Sequence, residues 1–342
     1  MSRQRGGAGF SMPTPEMGPP NLRVHGVAGW PIACPRCRRP LGVMALDGGE
    51  LECGSAILHC PADGWRGKRD EATGVWEMVH SDRPVLQARF LEEYARVRHA
   101  EGRGADGDDA IRRLPWAASH DSQAGAWAIR ARSYAHLRRR ILRHLLPGRR
   151  VLDLGAGNGW LSRLLVQDGH HPAALDLFAD ANDGLAAAAR VAPPWRYPCI
   201  RADFDHLPLV AAGVDLVIFN ASLHYSPDPR ASLNEARRVL TSDGRIVVLD
   251  SPCYRTAQSG QRMVAERRVA YQERYGFASD SLGSREFLVP AEMHAIAAEL
   301  GLVWRRSRPW LGVRMALRPL LARVRRRRPP ASFPLWVGQR VV

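Results

Sequence analysis

Three glycines alternate with other residues directly after a short apolar run that contains an acid. The run covers residues 151–154, and Gly155, Gly157 and Gly159 follow it, before an amphipathic stretch at 160–167. Glycine adopts positive φ without strain and lets a ligand approach the backbone where a Cβ would clash. A helix that begins there offers unpaired N–H groups at its N-terminus. The segment is therefore expected to be a strand, a nucleotide-binding loop and the start of a helix.

The spacing of these glycines decides between two kinds of nucleotide cofactor. A dinucleotide fingerprint, G-x-G-x-x-G, needs its third glycine for close helix–strand packing beside a pyrophosphate, and Trp160 stands at that place. The loop instead matches D/E-x-G-x-G-x-G from Asp153 to Gly159, and so resembles the first motif of class I S-adenosylmethionine (SAM) dependent methyltransferases. The resemblance implies that Asp153 contacts the cationic amino group of the methionine moiety. A surface turn without a ligand is the alternative.

Further residues match this family in the order in which it requires them. Asp176 ends a second apolar stretch about twenty residues past the loop, where an acid accepts hydrogen bonds from ribose hydroxyls. Both SAM and NAD use such an acid, so Asp176 supports the fold more than the choice of cofactor. By the resemblance, Asp203 and Phe204 bracket adenine, and Asn220 ends a fourth strand beside the cofactor.

The segment after Asn220 supplies the candidate catalytic residues. Residues 221–225, Ala-Ser-Leu-His-Tyr, are similar to the N-A-L-H-H/W element of the small-molecule branch that is often called the type 11 group. Open α/β folds place ligands at the carboxyl edge of the sheet, so His224 and Tyr225 are expected beside the acceptor. His224 is the best candidate for a base because imidazole titrates near neutrality. A structural hydrogen bond is the alternative for His224, and a place in the pocket wall for Tyr225.

A cysteine cluster in the N-terminal third is a second, independent motif. Cys34 and Cys37 form a C-x-x-C knuckle, and Cys53 and Cys60 follow within the same short segment. The pattern resembles a zinc ribbon, in which Zn²⁺ is held tetrahedrally and replaces a hydrophobic core. The second knuckle is irregular, because Asp63 stands where a ribbon has its last cysteine. We expect Cys34, Cys37 and Cys60 as ligands with either Cys53 or Asp63, and favour Cys53 because thiolate is the softer ligand; a ribbon without metal is the alternative.

The order of the motifs predicts an α/β fold with a doubly wound, Rossmann-like sheet of seven strands. In the family this sheet ends in an antiparallel hairpin. The sixth strand is expected at residues 302–306 and the seventh at 333–337, with 311–317 as the alternative for the seventh. A length of 342 residues suggests two domains. The expected division is a disordered leader at 1–29, a zinc-ribbon-like domain at 30–80, a helical linker or cap at 81–147 and a methyltransferase domain at 148–342.

Charge and hydropathy limit the partners and the location. The formal net charge is +15, and residues 301–342 contain about eleven arginines and no acid, with four in succession at 325–328. Such a run suits RNA, anionic lipid or an acidic substrate, or is a solvated face. No apolar run approaches the roughly 18 residues of a membrane span, and residues 1–29 lack the apolar region of a signal peptide. Clustered cysteines favour metal binding in a reducing compartment, so a cytoplasmic location is expected.

Three functions are compatible with these patterns. The first is SAM-dependent methyl transfer to a hydroxyl, nitrogen or carbon of a small-molecule or lipid-like acceptor. The second is methylation of a ribosomal RNA base, because a zinc ribbon followed by such a domain looks like the layout of the bacterial large-subunit rRNA guanine methyltransferases. The third is a SAM-binding partner protein without turnover.

Overall fold

A computed structural model describes residues 29–45, 56–80, 84–104, 107–193 and 197–341. The predicted leader lies outside the described residues except for Gly29. Cys53, one of the predicted metal ligands, also lies outside them.

The described residues form eleven strands and nine α-helices. The strands are β1 (Gly42–Ala45), β2 (Ala56–His59), β3 (Arg66–Arg69), β4 (Trp76–Glu77), β5 (Arg150–Leu154), β6 (His171–Asp176), β7 (Cys199–Arg201), β8 (Val214–Asn220), β9 (Leu240–Leu249), β10 (Leu302–Ser307) and β11 (Leu335–Arg340). The helices are α1 (Pro84–Ala100), α2 (Gly107–Arg113), α3 (Ala124–Arg140), α4 (Trp160–Gln167), α5 (Leu185–Val191), α6 (Pro229–Val239), α7 (Ala257–Tyr275), α8 (Pro290–Glu299) and α9 (Val313–Val324).

Seven of the strands form the predicted doubly wound sheet. Their order is β7-β6-β5-β8-β9-β11-β10, and β11 alone runs antiparallel to the other six. The fold class is therefore confirmed, including the antiparallel end. The strand expected at 302–306 is β10, and the one expected at 333–337 overlaps β11. The alternative at 311–317 is wrong, because most of that stretch belongs to α9.

The central strands carry continuous apolar runs because both faces of the sheet are covered, as is usual for parallel sheets. On one face Leu152 and Leu154 of β5 belong to the largest buried cluster. On the other face Val151 packs with Leu161 and Leu165 of α4. The packing on both faces fixes the strand that leads into the glycine loop.

The cysteine-containing segment extends this sheet. β4 pairs in parallel with β7, and β1 to β4 add four strands at that edge. Trp30 and Met78 are buried in the same cluster as Leu152, and Arg38 Nη2 lies 2.9 Å from Glu235 Oε1 on α6. A segment too short to bury much of itself thus shares the core of the larger domain.

Two segments cover the carboxyl edge of the sheet. One is α1, which lies over the ends of β6 and β7, and the other is the chain at 281–283, which follows α7. Among the helices in the described ranges, none is long and apolar enough to cross a membrane.

Candidate active site

The three glycines of the loop all adopt left-handed backbone, with φ of +76° at Gly155, +53° at Gly157 and +71° at Gly159. Their surroundings differ. A Cβ on Gly155 or Gly159 would lie 2.2 or 2.6 Å from neighbouring side-chain atoms, whereas a Cβ on Gly157 would meet only the carbonyl oxygen of Asp183, at 3.7 Å. Gly155 and Gly159 therefore serve close packing, whereas a Cβ on Gly157 would make only an ordinary van der Waals contact.

Asp153 is fully buried at the end of β5. Its Oδ2 accepts a hydrogen bond from Ser162 Oγ at 2.8 Å, and its Oδ1 has no partner among the described residues. Burial raises the pKa of Asp153 to about 7. A buried carboxylate oxygen without a partner suits a cationic group, because the ionised form would then be stabilised.

Two further acids stand at the carboxyl edge of the sheet. The carboxylate of Asp176 accepts the backbone N–H groups of Gly157 and Phe178, at 2.8 and 2.9 Å, and burial raises its pKa. The carboxylate of Asp203 accepts the side-chain amide of Gln87, at 2.7 Å to one oxygen and 2.6 Å to the other. One acid is thus tied to the glycine loop and the other to α1.

Both acids border a cavity of about 440 Å³. Phe90, Leu91 and Tyr94 of α1 form one wall and residues 281–283 another. This size and this largely apolar lining are typical of small-molecule sites. The predicted cofactor residues that border it are Gly155, Asp176, Asp203 and Phe204.

The remaining predicted cofactor residues do not border this cavity. Asn220 ends β8 and is buried. Its Oδ1 has no hydrogen-bond partner among the described residues, which leaves a second buried acceptor atom near the loop. The others are Asp153, Gly157 and Gly159, in β5 and the glycine loop.

His224 does not border the cavity. Its Nδ1 lies 3.2 Å from Ser251 Oγ, and its carbonyl accepts the backbone N–H of Glu286 at 3.0 Å. Burial, together with the charge of Arg130, lowers the pKa of His224 to about 3. The imidazole is therefore neutral near pH 7 and a weaker base than the sequence prediction assumes.

Tyr225 stands at the junction of two cavities. It borders the cavity of about 440 Å³, the main cavity, and a second cavity of about 100 Å³. Its ring centroid lies 4.3 Å from that of His224 and 5.8 Å from that of Tyr94. Burial raises the pKa of Tyr225, so its hydroxyl stays protonated and can donate a hydrogen bond.

The second cavity carries a half-buried ion pair. Arg267 Nη2 of α7 lies 2.5 Å from Glu286 Oε1, and the ring of Tyr271 lies under the same guanidinium. Phe90 and Tyr94 border this cavity as well as the main one. A ligand that extends past Tyr225 would therefore meet aromatic rings first and charged groups next.

Two residues of α1 were missed by the sequence analysis. Gln87 is one, and Arg98 is the other. Arg98 forms a buried ion pair with Asp183, whose Oδ1 accepts Asn158 Nδ2 of the glycine loop at 2.9 Å. Helix α1 lies within the helical linker predicted at 81–147, but no local signal indicated which polar residues face the loop.

Arg130 of α3 lies close enough to Asp250 for its charge to oppose the rise in the pKa of that carboxyl group. The guanidinium of Arg130 lies 4.7 Å from the centroid of a Trp127 ring and forms no ion pair with any described residue. Burial and then the charge of Arg103 lower the pKa of Arg130. A cation in this setting suits an anionic ligand group.

Four potential metal ligands converge in the N-terminal segment. Ligand atoms of Cys34, Cys37, Cys60 and Asp63 all lie within 4.8 Å of one another. Asp63 Oδ2 is 3.4 Å from Cys34 Sγ, and the sulfurs of Cys37 and Cys60 are 3.4 Å apart. The N–H of Trp65 is the main cause that lowers the pKa of Asp63 to about 2. Three thiols and one carboxylate are a donor set that zinc accepts.

The sheet order and the glycine loop define a class I SAM-dependent methyltransferase fold. Comparison with known proteins agrees, because residues 152–248 match the methyltransferase domain family. This part of the chain is a SAM-dependent methyltransferase domain.

Similarity to characterised proteins is concentrated in the same region. The chain is 35% identical over 107 residues to demethylmenaquinone methyltransferase of Clavibacter sepedonicus, a match that covers 31% of this chain and 42% of that protein. It is 34% identical over 102 residues to malonyl-[acyl-carrier protein] O-methyltransferase of Hahella chejuensis, covering 28% and 34%. The chain thus spans less than half the length of these two relatives.

Similar solved structures include two methyltransferases. One is an S-adenosylmethionine-dependent methyltransferase from Mesorhizobium loti, with a TM-score of 0.42 and 22% identity, covering 58% of this chain and 95% of that one. The other is phosphoethanolamine N-methyltransferase 2 from Haemonchus contortus in complex with SAM, with a TM-score of 0.46 and 13% identity, covering 62% and 53%.

Proposed function

We propose that the protein transfers the methyl group of SAM to a hydroxyl, nitrogen or carbon of a small-molecule or lipid-like acceptor. The observation that carries this proposal is the cavity of about 440 Å³ at the carboxyl edge of the sheet, with Asp176 and Asp203 in its wall. When bound, SAM supplies a methyl group that its sulfonium already activates. The protein then needs to align the acceptor, exclude water and, for a hydroxyl or nitrogen, let a proton leave.

Several residues in the glycine loop and elsewhere could bind the methionine part of SAM. The orphan Oδ1 atoms of Asp153 and Asn220 can accept hydrogen bonds from an ammonium group. Arg130, which forms no ion pair with a described residue, suits a carboxylate. The left-handed backbone at Gly157, which has no crowded neighbour at its Cβ position, would let a ligand lie next to the backbone. Asp176 and Asp203 are then left for the ribose and the adenine.

The second cavity supports the choice of a small or amphipathic acceptor. Phe90, Tyr94 and Tyr225 border both cavities, so an acceptor there would lie against rings and adjoin the cofactor. We infer that Tyr225 aligns the acceptor and that His224 holds this segment in place through Ser251. The relatives are named for methyl transfer to demethylmenaquinone and to malonyl-[acyl-carrier protein].

The test is to incubate the full chain with methyl-labelled SAM and cell extract, and then to separate lipid, small-molecule, RNA and protein fractions. Label in the lipid or small-molecule fraction is expected, and it should be absent with the Gly157→Ala variant. Label that enters ribosomal RNA instead would overturn the proposal in favour of RNA methylation. SAM binding without label in any fraction would favour a partner protein without turnover.

We also propose that Cys34, Cys37, Cys60 and Asp63 hold a structural zinc ion. The convergence of their ligand atoms supports this set. Each half is a tight turn, since Arg38 N–H donates to the Cys34 carbonyl at 2.8 Å and Gly64 N–H to the Cys60 carbonyl at 3.0 Å. Cys53, the ligand favoured from the sequence, lies outside the described residues, so substitution must decide between it and Asp63.

A further inference from the structure

Helix α9 rests on the protein without burying any residue. Its apolar side chains are largely exposed instead. The exposed fractions are 64% for Val313, 46% for Leu317, 59% for Leu320, 45% for Leu321 and 73% for Val324. Single exposed apolar residues are common, but a contiguous group of five marks an interaction surface.

These five side chains lie on one face of the helix. Positions 313, 317, 320 and 324 are spaced by four, three and four residues, which aligns them along one stripe at 3.6 residues per turn. Met315 and Ala322, on the opposite face, are half-buried. The inner face of α9 therefore contacts the protein, and the apolar stripe faces outward.

Positive charge surrounds the stripe. Arg314, Arg318 and Arg323 are exposed on α9, and the exposed arginines at 325–327 follow directly after it. Residues 301–342 contain no acid. Trp310, which is 65% exposed, precedes the helix. An apolar face bordered by arginines, with a tryptophan near its end, is the composition of helices that lie in the interface of an anionic membrane.

The C-terminal end of α9 is held in place on the protein. Arg328 Nε lies 2.6 Å from Glu266 Oε2, and its Nη1 donates to the Tyr254 hydroxyl at 3.0 Å. The arginines at 325–327 take no part in the ion pair between Arg328 and Glu266. The helix is therefore presented in a fixed orientation, with its stripe outward.

We propose that α9 binds the surface of an anionic lipid bilayer, with the apolar stripe at the acyl boundary and the arginines on lipid phosphates. RNA would neutralise the arginines equally well, but it would leave five apolar side chains in water. Of these two partners, the lipid surface matches both the stripe and the charge. This inference does not depend on the proposed methyl transfer, because vesicle binding can be measured without SAM.

The test is flotation of the full chain with phosphatidylcholine vesicles that contain phosphatidylglycerol, and with vesicles of phosphatidylcholine alone. Tight binding is expected only with phosphatidylglycerol. Leu317→Gln/Leu320→Gln should weaken it by at least about tenfold, because two leucines no longer leave water. The matched control is Val269→Gln/Val303→Gln, which replaces two apolar residues that are 59% and 51% exposed elsewhere and should bind as the wild type does.

A charge variant tests the other half of the surface. Replacing the arginines at 325, 326 and 327 by glutamine should weaken binding by roughly a hundredfold, since each basic residue near an anionic surface contributes on the order of fivefold. The proposal is overturned if the leucine variant binds vesicles as the wild type does. It is equally overturned if the wild type does not bind the vesicles, whether or not it binds RNA.

Discussion

The side-chain amide of Gln87 donates to both carboxylate oxygens of Asp203, at 2.7 and 2.6 Å. Both residues are 6% exposed, so the contact is shielded from water. It ties α1 to the chain after β7, and both residues border the main cavity. Because the family resemblance assigns Asp203 to adenine, Gln87 and the cofactor would compete for the same oxygens.

We therefore expect Gln87→Ala to tighten SAM binding. Removing a competing hydrogen bond worth about 1 kcal/mol should raise the affinity about fivefold, as measured by titration calorimetry. Gln272→Ala is the matched control, since that amide donates only to the Gly276 carbonyl on the exposed α7. Unchanged or weaker binding by the Gln87 variant would contradict this competition for Asp203.

Asp153 should make stability depend on pH. Its pKa in the folded chain, about 7, exceeds the ordinary value of 3.8, so the folded state keeps a proton that the unfolded chain has released. The free energy of unfolding should therefore fall as pH rises from about 4 to about 7 and then level off, by as much as roughly 4 kcal/mol from this group. Asp153→Asn cannot titrate and should lose this part of the fall.

Urea denaturation of the protein without SAM, at roughly pH 5 and roughly pH 8, measures this difference. Asp250, whose pKa burial raises to about 6, titrates in both proteins and cancels in the comparison. Equal pH dependence in the wild type and the Asp153 variant would mean that Asp153 is ionised in the folded state throughout.

Elemental analysis should find about one zinc per chain. Asp63→Ala should lose the zinc, whereas Asp63→Cys should keep it, because thiolate is the more usual ligand. Cys53→Ser should also keep it, and Cys253→Ser, outside the cluster, is the control. Loss of zinc in the Cys53 variant with retention in Asp63→Ala would assign the fourth position to Cys53.

Turnover should depend more on Tyr225 than on the ionisation of His224. Tyr225→Phe removes only the hydroxyl at the junction of the cavities and should lower kcat about tenfold with little change in SAM affinity. Burial lowers the pKa of His224 to about 3. The pH profile of kcat/KM should therefore show no ionisation near 6.5 that belongs to His224, that is, none that is lost in the His224→Asn variant. Such an ionisation would restore the role of His224 as the base.

The strand, loop and helix around Gly157 could be predicted because the pattern is local. An apolar run, alternating glycines and an amphipathic stretch follow one another within residues 151–167, and each restricts the backbone by itself. Helix α9 also had a local signal, since apolar residues three and four apart indicate a helix. The alternative strand at 311–317 ignored that spacing.

Other features depend on partners far away in the chain. Gln87 and Asp203 are 116 residues apart, and nothing near either residue indicates the other. β4 consists of Trp76 and Glu77 alone, too short to show any periodicity, and its pairing with β7 joins the cysteine-containing segment to the main sheet. The low pKa of His224 likewise arises from burial by elements that only the fold brings together.

The most direct test of the cofactor site compares two glycine variants. Gly157 and Gly169 both have positive φ, +53° and +83°, and a Cβ on either has no close neighbour. Alanine at each should therefore cost a similar backbone strain, on the order of 1 kcal/mol. Titration calorimetry should show SAM binding by the wild type and by Gly169→Ala, and a loss of at least about a hundredfold in Gly157→Ala, whose methyl fills the approach to the loop. Equal SAM affinity in the two variants, or no binding by the wild type, would contradict the assignment of this loop.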